Sequence, residues 1–429
     1  MRFAICFAVW CFLVSVTLAQ SWSSFQNGGK LADKQWDVAS QWSSDSGIAW
    51  QQKLAGYGQS SPIIFEDTVY ITSVSGPKKE TVNIEAFSIE TGQRKWIHSE
   101  PNANAQDNNV MISRAASSPV ADGNGIVAMF EVGKLVALDH SGAIRWQKDL
   151  VAEFGDVKAR HGLSASLEQD SEHVYVWVER SAEPYVMSLN KSDGSVVWNV
   201  AGVGSTSWGS PRLMEIGGKP TLILAASGKI VGLEVGKGKR LWEFTDIEGN
   251  SSSTPIPAGG DRFFIGSSGG RGTVLTKPCT GLIQINTVDG AQIPSWVWSS
   301  KQLKSSFGSP IIDGGRVFLV NRSGILTCCD LEDGQKVFTG RLPCGSIWAT
   351  PLSTGKQLYF FGKNGSTSIL EIADKLNVVG ENPLWAEESK EKEAGGVQSR
   401  FSGAVLYAVA ISGPQLFLRR GDTLYVCGK

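Results

Sequence analysis

A polar turn, a glycine, three residues and then a tryptophan recur along this chain, and few folds tolerate that sentence repeated so often. Gly92 with Trp96, Gly142 with Trp146, Gly194 with Trp198 and Gly238 with Trp242 carry it. Gly334 with Phe338 keeps the spacing, and Gly290 followed by Trp296 and Trp298 is a stretched copy. Between these marks, a Ser-Pro or Thr-Pro pair opens an apolar run at Pro62, Pro119, Pro211, Pro255, Pro310 and Pro351. Degenerate copies centred on Ser166 and Ala404 bring the total to eight. A period of about 40–50 residues, built from short runs, means radial or linear repetition of one small sheet.

The second copy shows the unit most clearly. Val120 opens a run, Asp122-Gly123-Asn124-Gly125 is turn chemistry, and Ile126–Phe130 is rich in β-formers. Val132-Gly133 turns, Lys134–Asp139 alternates, Ser141-Gly142 turns again, and Ala143–Gln147 carries Trp146. Four antiparallel strands in about 50 residues make a propeller blade rather than a helical repeat. A single blade cannot bury both faces of its sheet, so a large flat residue on each outer strand covers the gap to the next blade. Proline at the start of the innermost strand costs no ladder bond there.

The ends predict how the ring closes. Trp50 precedes the first Ser-Pro pair and belongs to no complete blade, while the last unit supplies only Ala404–Ile411, Gln415–Arg419 and Thr423–Cys427. Docking Ile48–Gln51 as the missing strand closes the ring and hides both edges. The expected fold is therefore an all-β, eight-bladed propeller of four-stranded antiparallel blades over residues 48–429, closed by its N-terminal strand. Seven blades plus a capping segment is the competing count, because residues 339–403 are irregular and the turn Ala373-Asp374-Lys375 lacks glycine.

Residues 1–19 read as a secretory signal peptide: Arg2, an apolar run from Phe3 to Val16, and small residues before Gln20. The run falls short of the roughly 20 residues a spanning helix needs. No cysteine stands at the expected cut, so no lipid-attachment residue is offered there. Residues 20–47 form an N-terminal extension. The expected product is periplasmic or secreted, has no transmembrane segment after signal removal, and is monomeric. Removing Arg2 leaves 39 basic residues (40 less one) against 41 acidic ones. That balance argues against nucleic acid, which calls for a basic face. Cys279, Cys328, Cys329, Cys344 and Cys427 remain, an odd number that allows two bridges at most and leaves their pairing open.

The Ser-Pro openings and the turn-Gly-x-x-x-Trp motif together resemble the pyrrolo-quinoline quinone (PQQ) repeats of eight-bladed propellers, across nearly all of residues 48–429. That superfamily includes quinoprotein alcohol dehydrogenases and BamB-like proteins. Gln20-Ser21-Trp22 to Gly29 is similar to the start of many secreted, BamB-like bacterial propellers. The resemblance is specific for fold and open as to function.

Ligands of propellers meet the channel mouth, where the inner strands begin. The segments before each strand opening bring together Tyr57, Arg114, Arg160, His161, Trp208, Phe307, Trp348 and Arg400, with many small hydroxyls. A cationic, aromatic-lined mouth suits a flat anion or an acidic peptide loop. These segments contain no Asp or Glu, whereas the calcium that accompanies PQQ in the dehydrogenases needs six or more oxygens, including carboxylates. The expected function is accordingly a non-enzymatic binding or scaffold protein, with an envelope or extracellular protein as partner and no cofactor or metal. A PQQ-dependent oxidoreductase with calcium is the alternative. Cys328-Cys329 falls on a third-strand position, where small apolar residues pack, and is read as structural.

Overall fold

The computed structural model describes residues 21–30, 36–104, 113–157, 159, 161–180, 183–205, 208–249, 253–267, 274–305, 307–385 and 404–428. These form eight four-stranded antiparallel sheets, and in the first seven the strands pair in chain order from the inside outwards. The second blade consists of Val120–Asp122, Gly125–Met129, Lys134–Leu138 and Ile144–Asp149, close to the runs read from sequence. The seventh is complete, with Leu352–Ser353, Gln357–Phe361, Ser366–Glu371 and Val378–Pro383. Seven blades with a cap is thereby ruled out.

The eighth blade mixes the two ends of the chain. Leu406–Ser412, Gln415–Arg420 and Thr423–Cys427 supply its inner three strands, and Ile48–Lys53 is its outermost. Trp50 pairs with Val426 and Gln52 with Leu424 in antiparallel register. Buried Arg419 reinforces the seam, donating to Ser60 O and Oγ, to Thr72 O and to Gly421 O. Burial lowers its pKa to about 9, against the attraction of Glu85.

Tryptophans fasten most blades to the next. The indole N–H groups of Trp50, Trp96, Trp146, Trp198 and Trp298 donate to Ile89 O, His140 O, Lys191 O, Val235 O and Leu331 O at 2.6–2.9 Å, each a carbonyl in the following blade. The glycine of each repeat is where that indole lands. At Gly194, φ is +73° and an added Cβ would lie 2.7 Å from the Trp146 ring. Gly290 is different. It lies in the turn between Thr280–Val288 and Ala291–Ser300, has nothing within 4 Å of a Cβ, and leaves Trp242 to donate to Gln292 Oε1 instead.

All five described cysteines are free and buried. Cys328 and Cys329 lie on the regular strand Ile325–Asp330, opposite Phe318 and Val317. They enter different hydrophobic clusters, Cys328 with Leu326 and Phe360, Cys329 with Leu331 and Leu319. Strand alternation sends adjacent side chains to opposite faces, so the two pack separate inter-blade layers.

Candidate functional site

A run of hydroxyls links five successive blades around the channel and gives a role to the Ser or Thr before Pro119, Pro211 and Pro255. The Ser61 N–H donates to Ser118 Oγ, Ser118 N–H to Ser166 Oγ, Ser166 N–H to Ser210 Oγ and Ser210 N–H to Thr254 Oγ1, at 2.9–3.1 Å. Each hydroxyl satisfies a buried donor of the neighbouring blade. Sequence reasoning accounted for the proline and missed this. The invariable hydroxyl beside it was the available signal.

One side of the channel is occupied by the N-terminal segment. Trp22 is buried and exchanges backbone hydrogen bonds with Ile64 in the first blade. Ser23 O accepts from Ala121 N and Gln169 Nε2, in the second and third blades. Gln26 Nε2 donates to Thr350 Oγ1, while Arg212 donates to Gln26 Oε1 and to Phe25 O. Residues 26–29 all have left-handed φ between +50° and +80°, a conformation that costs non-glycine residues about 1–2 kcal/mol each. Contacts of residues 22–26 to five blades hold this segment. Beneath it Arg212 pairs with buried Glu168 at 3.3 Å, and burial pushes the carboxyl up and the guanidinium down from their ordinary values.

On the side where the inner strands begin, aromatic rings form a collar. Tyr57 meets Tyr407, Tyr407 meets Trp348, Trp348 meets Phe307, Phe307 meets Trp208, and Trp208 stacks on His161, with centroids 5.1–5.9 Å apart. The Tyr57 hydroxyl donates to that of Tyr407 at 2.8 Å, and burial raises the Tyr57 pKa. Two cations lie on the collar: Arg114 is 3.6 Å from the Tyr57 centroid and Arg322 is 5.2 Å from that of Phe307. Between plug and collar is a chamber of about 650 Å³, whose wall includes Ser61, Ser118, Ser166, Ser210 and Ser309.

The structure thus brings Tyr57, Arg114, His161, Trp208, Phe307 and Trp348 to one mouth. Arg160 and Arg400 lie outside the described residues. Sequence reading missed Tyr407 and Arg322. Tyr407 sits at a register shift between Leu406 and Ala408, and such a bulge re-aims a side chain without any periodic signal. Arg322 comes from the turn after Arg316–Val320, an element not counted among the mouth segments.

The chamber's donor set does not suit calcium-assisted quinone chemistry. Asp313 is the one carboxylate among its described lining residues, and its Oδ2 already accepts from Ser353 Oγ. Among the described residues no group of three or more His, Cys, Asp or Glu side chains is arranged to hold a metal. Calcium takes six to eight oxygens, several of them carboxylate.

The family model described as outer membrane protein assembly factor BamB matches residues 35–161 and 153–378, most of the chain. The chain belongs to the PQQ-repeat BamB family. A BamB of Yersinia pestis is 26% identical over 227 residues, 51% of this chain and 54% of that relative, so the match spans about half of the curated protein's length. The crystal structure of BamB from Moraxella catarrhalis superposes with a TM-score of 0.58 at 15% identity, covering 89% of this chain and 99% of that one. Quinohemoprotein alcohol dehydrogenase from Comamonas testosteroni gives 0.61 at 12% identity, covering 95% and 81%. At these identities the structural likenesses show a shared propeller fold. In this BamB-family chain no described helix is long and apolar enough to cross a membrane.

Proposed function

We propose that this protein is an exported, non-enzymatic binding scaffold of the cell envelope, with a role like that of an assembly factor, whose collar engages an acidic surface of another envelope protein. The observation that carries this reading is the continuous collar of rings bearing Arg114 and Arg322. Aromatic and Arg side chains are what protein interfaces concentrate at their energetic centres, and both cations favour an acidic counterpart. The signal-like residues 1–19 support export, and the BamB family supports a partner in envelope assembly.

Pull-down with the mature chain from envelope extract should recover a specific partner that is lost with Arg114→Glu plus Arg322→Glu and kept with charge reversals on the outer strands. An unchanged partner set in the double variant would move the interface away from the collar. The quinoprotein reading, in which PQQ and calcium occupy the chamber, is tested by titrating both and following absorbance and melting temperature. We expect no quinone band and no stabilisation.

A further inference from the structure

The loop carrying Arg114 is held by buried side chains to a degree that packing alone does not require. Lys79 and Glu131, both fully buried, pair at 3.0 Å beneath it. The Lys79 ammonium donates to Ser113 O at 2.6 Å, and Glu131 Oε2 accepts from Ala115 N at 2.8 Å. Gln59 Oε1 accepts from Arg114 N, and Ala115 O accepts from Gln59 N and Ser60 N. Ser113 N donates to His161 O. Lys79 and Ala115 both have left-handed φ, +59° and +44°, which non-glycine residues adopt only when surrounding contacts impose it. Burying an ion pair and straining two residues to shape one surface loop points to a side chain whose position matters.

That side chain is Arg114. Its guanidinium lies over Tyr57, and its Nε is buried with no hydrogen-bond partner. Among the described residues it has no ion-pair partner. A planar guanidinium stacked on a ring keeps its in-plane N–H donors for a planar oxyanion, which it can grip through two parallel bonds. We propose that Arg114 anchors a carboxylate at the collar, and that the Lys79–Glu131 pair is a positioning device that sets the loop before the ligand arrives. This rests on the reading of the collar as a binding face and adds its ligand chemistry. A carboxylate can come from an acidic peptide segment or from a free small acid. Preorganisation of this kind raises affinity by removing the ordering cost at binding.

The test is calorimetric titration of the mature chain with hexaglutamate peptide and, in a separate arm, with citrate. Binding is expected in at least one arm, weakened about tenfold or more by Arg114→Lys, which keeps the charge and loses the planar fork. Peptide binding alone assigns the carboxylate to a protein partner, citrate binding alone to a small acid, and binding in both to the group itself. Lys79→Met/Glu131→Met should melt cooperatively yet bind about tenfold more weakly. In the parent the Arg114 Nε–H resonance should shift on titration, and in the double variant the same shift should need about tenfold more ligand. If that variant does not fold, Glu131→Gln, which retains an acceptor for Ala115 N–H, takes its place. Parent affinity in Arg114→Lys, or no binding of either probe at millimolar concentration, overturns the anchor. Parent affinity in the folded pair variant overturns the positioning role. A failed pull-down alongside Arg114-dependent carboxylate binding would discard the envelope-partner reading and leave this one intact.

Discussion

Single residues close this ring as much as strands do. Arg419 reaches from the eighth blade into the first, and its removal would orphan the buried carbonyls of Ser60 and Thr72. Buried polar groups left without partners cost about 1–3 kcal/mol each. Arg419→Met is therefore expected to destabilise the fold by about 3 kcal/mol, read as a lower denaturant midpoint with an unchanged slope. Conservation of stability in that variant would mean that water replaces the guanidinium and that the strand at Ile48–Lys53 closes the ring alone. No local pattern signals this clamp. Arg419 looks like any strand arginine until residue 60 is known to lie beside it.

At the scale of the element, the blade is a hairpin stack whose outer turn receives the preceding blade's indole. Two glycines in matching turns separate conformational strain from steric exclusion. Gly194 and Gly290 have nearly the same φ, +73° and +79°, but only Gly194 lies against a tryptophan. An alanine at residue 290 should cost about 1 kcal/mol for its left-handed backbone. At residue 194 it must also displace the Trp146 ring, adding overpacking of about 1–3 kcal/mol. Thermal melts of Gly194→Ala and Gly290→Ala should rank them in that order, and equal losses would show that the indole yields freely. The Gly-x-x-x-Trp spacing was readable because both partners sit at fixed places in a local hairpin, whereas the failure at Gly290 depends on an outer hairpin that runs longer than its neighbours.

For the whole molecule, closure is the cooperative event. Deleting residues 20–53 removes the strand that pairs with Thr423–Cys427, together with buried Trp22 and Trp42. Each buried tryptophan is worth about 2–3 kcal/mol, and the bared edge is a template for association. Against a net stability of about 5–15 kcal/mol, the product should aggregate, as size-exclusion chromatography would show. A monomeric, cooperatively melting 54–429 fragment would require another closing element. The N-terminal segment matters beyond closure, since residues 22–29 bridge five blades and line one side of the chamber.

Repeat length, blade count, strand order and the closing role of Trp50 were all determined by the sequence, because each is written in local patterns that recur with the blade. Six of the expected mouth residues also converge, since all lie in the short segments that lead into the inner strands of their repeats. The plug at Trp22–Gly29, the bulge that turns Tyr407 into the collar and the Lys79–Glu131 pair under Arg114 were decided only by tertiary structure. These contacts join segments up to some 350 residues apart and follow no period. They exist only once the ring has closed, when residues with no local reason to associate share the same channel.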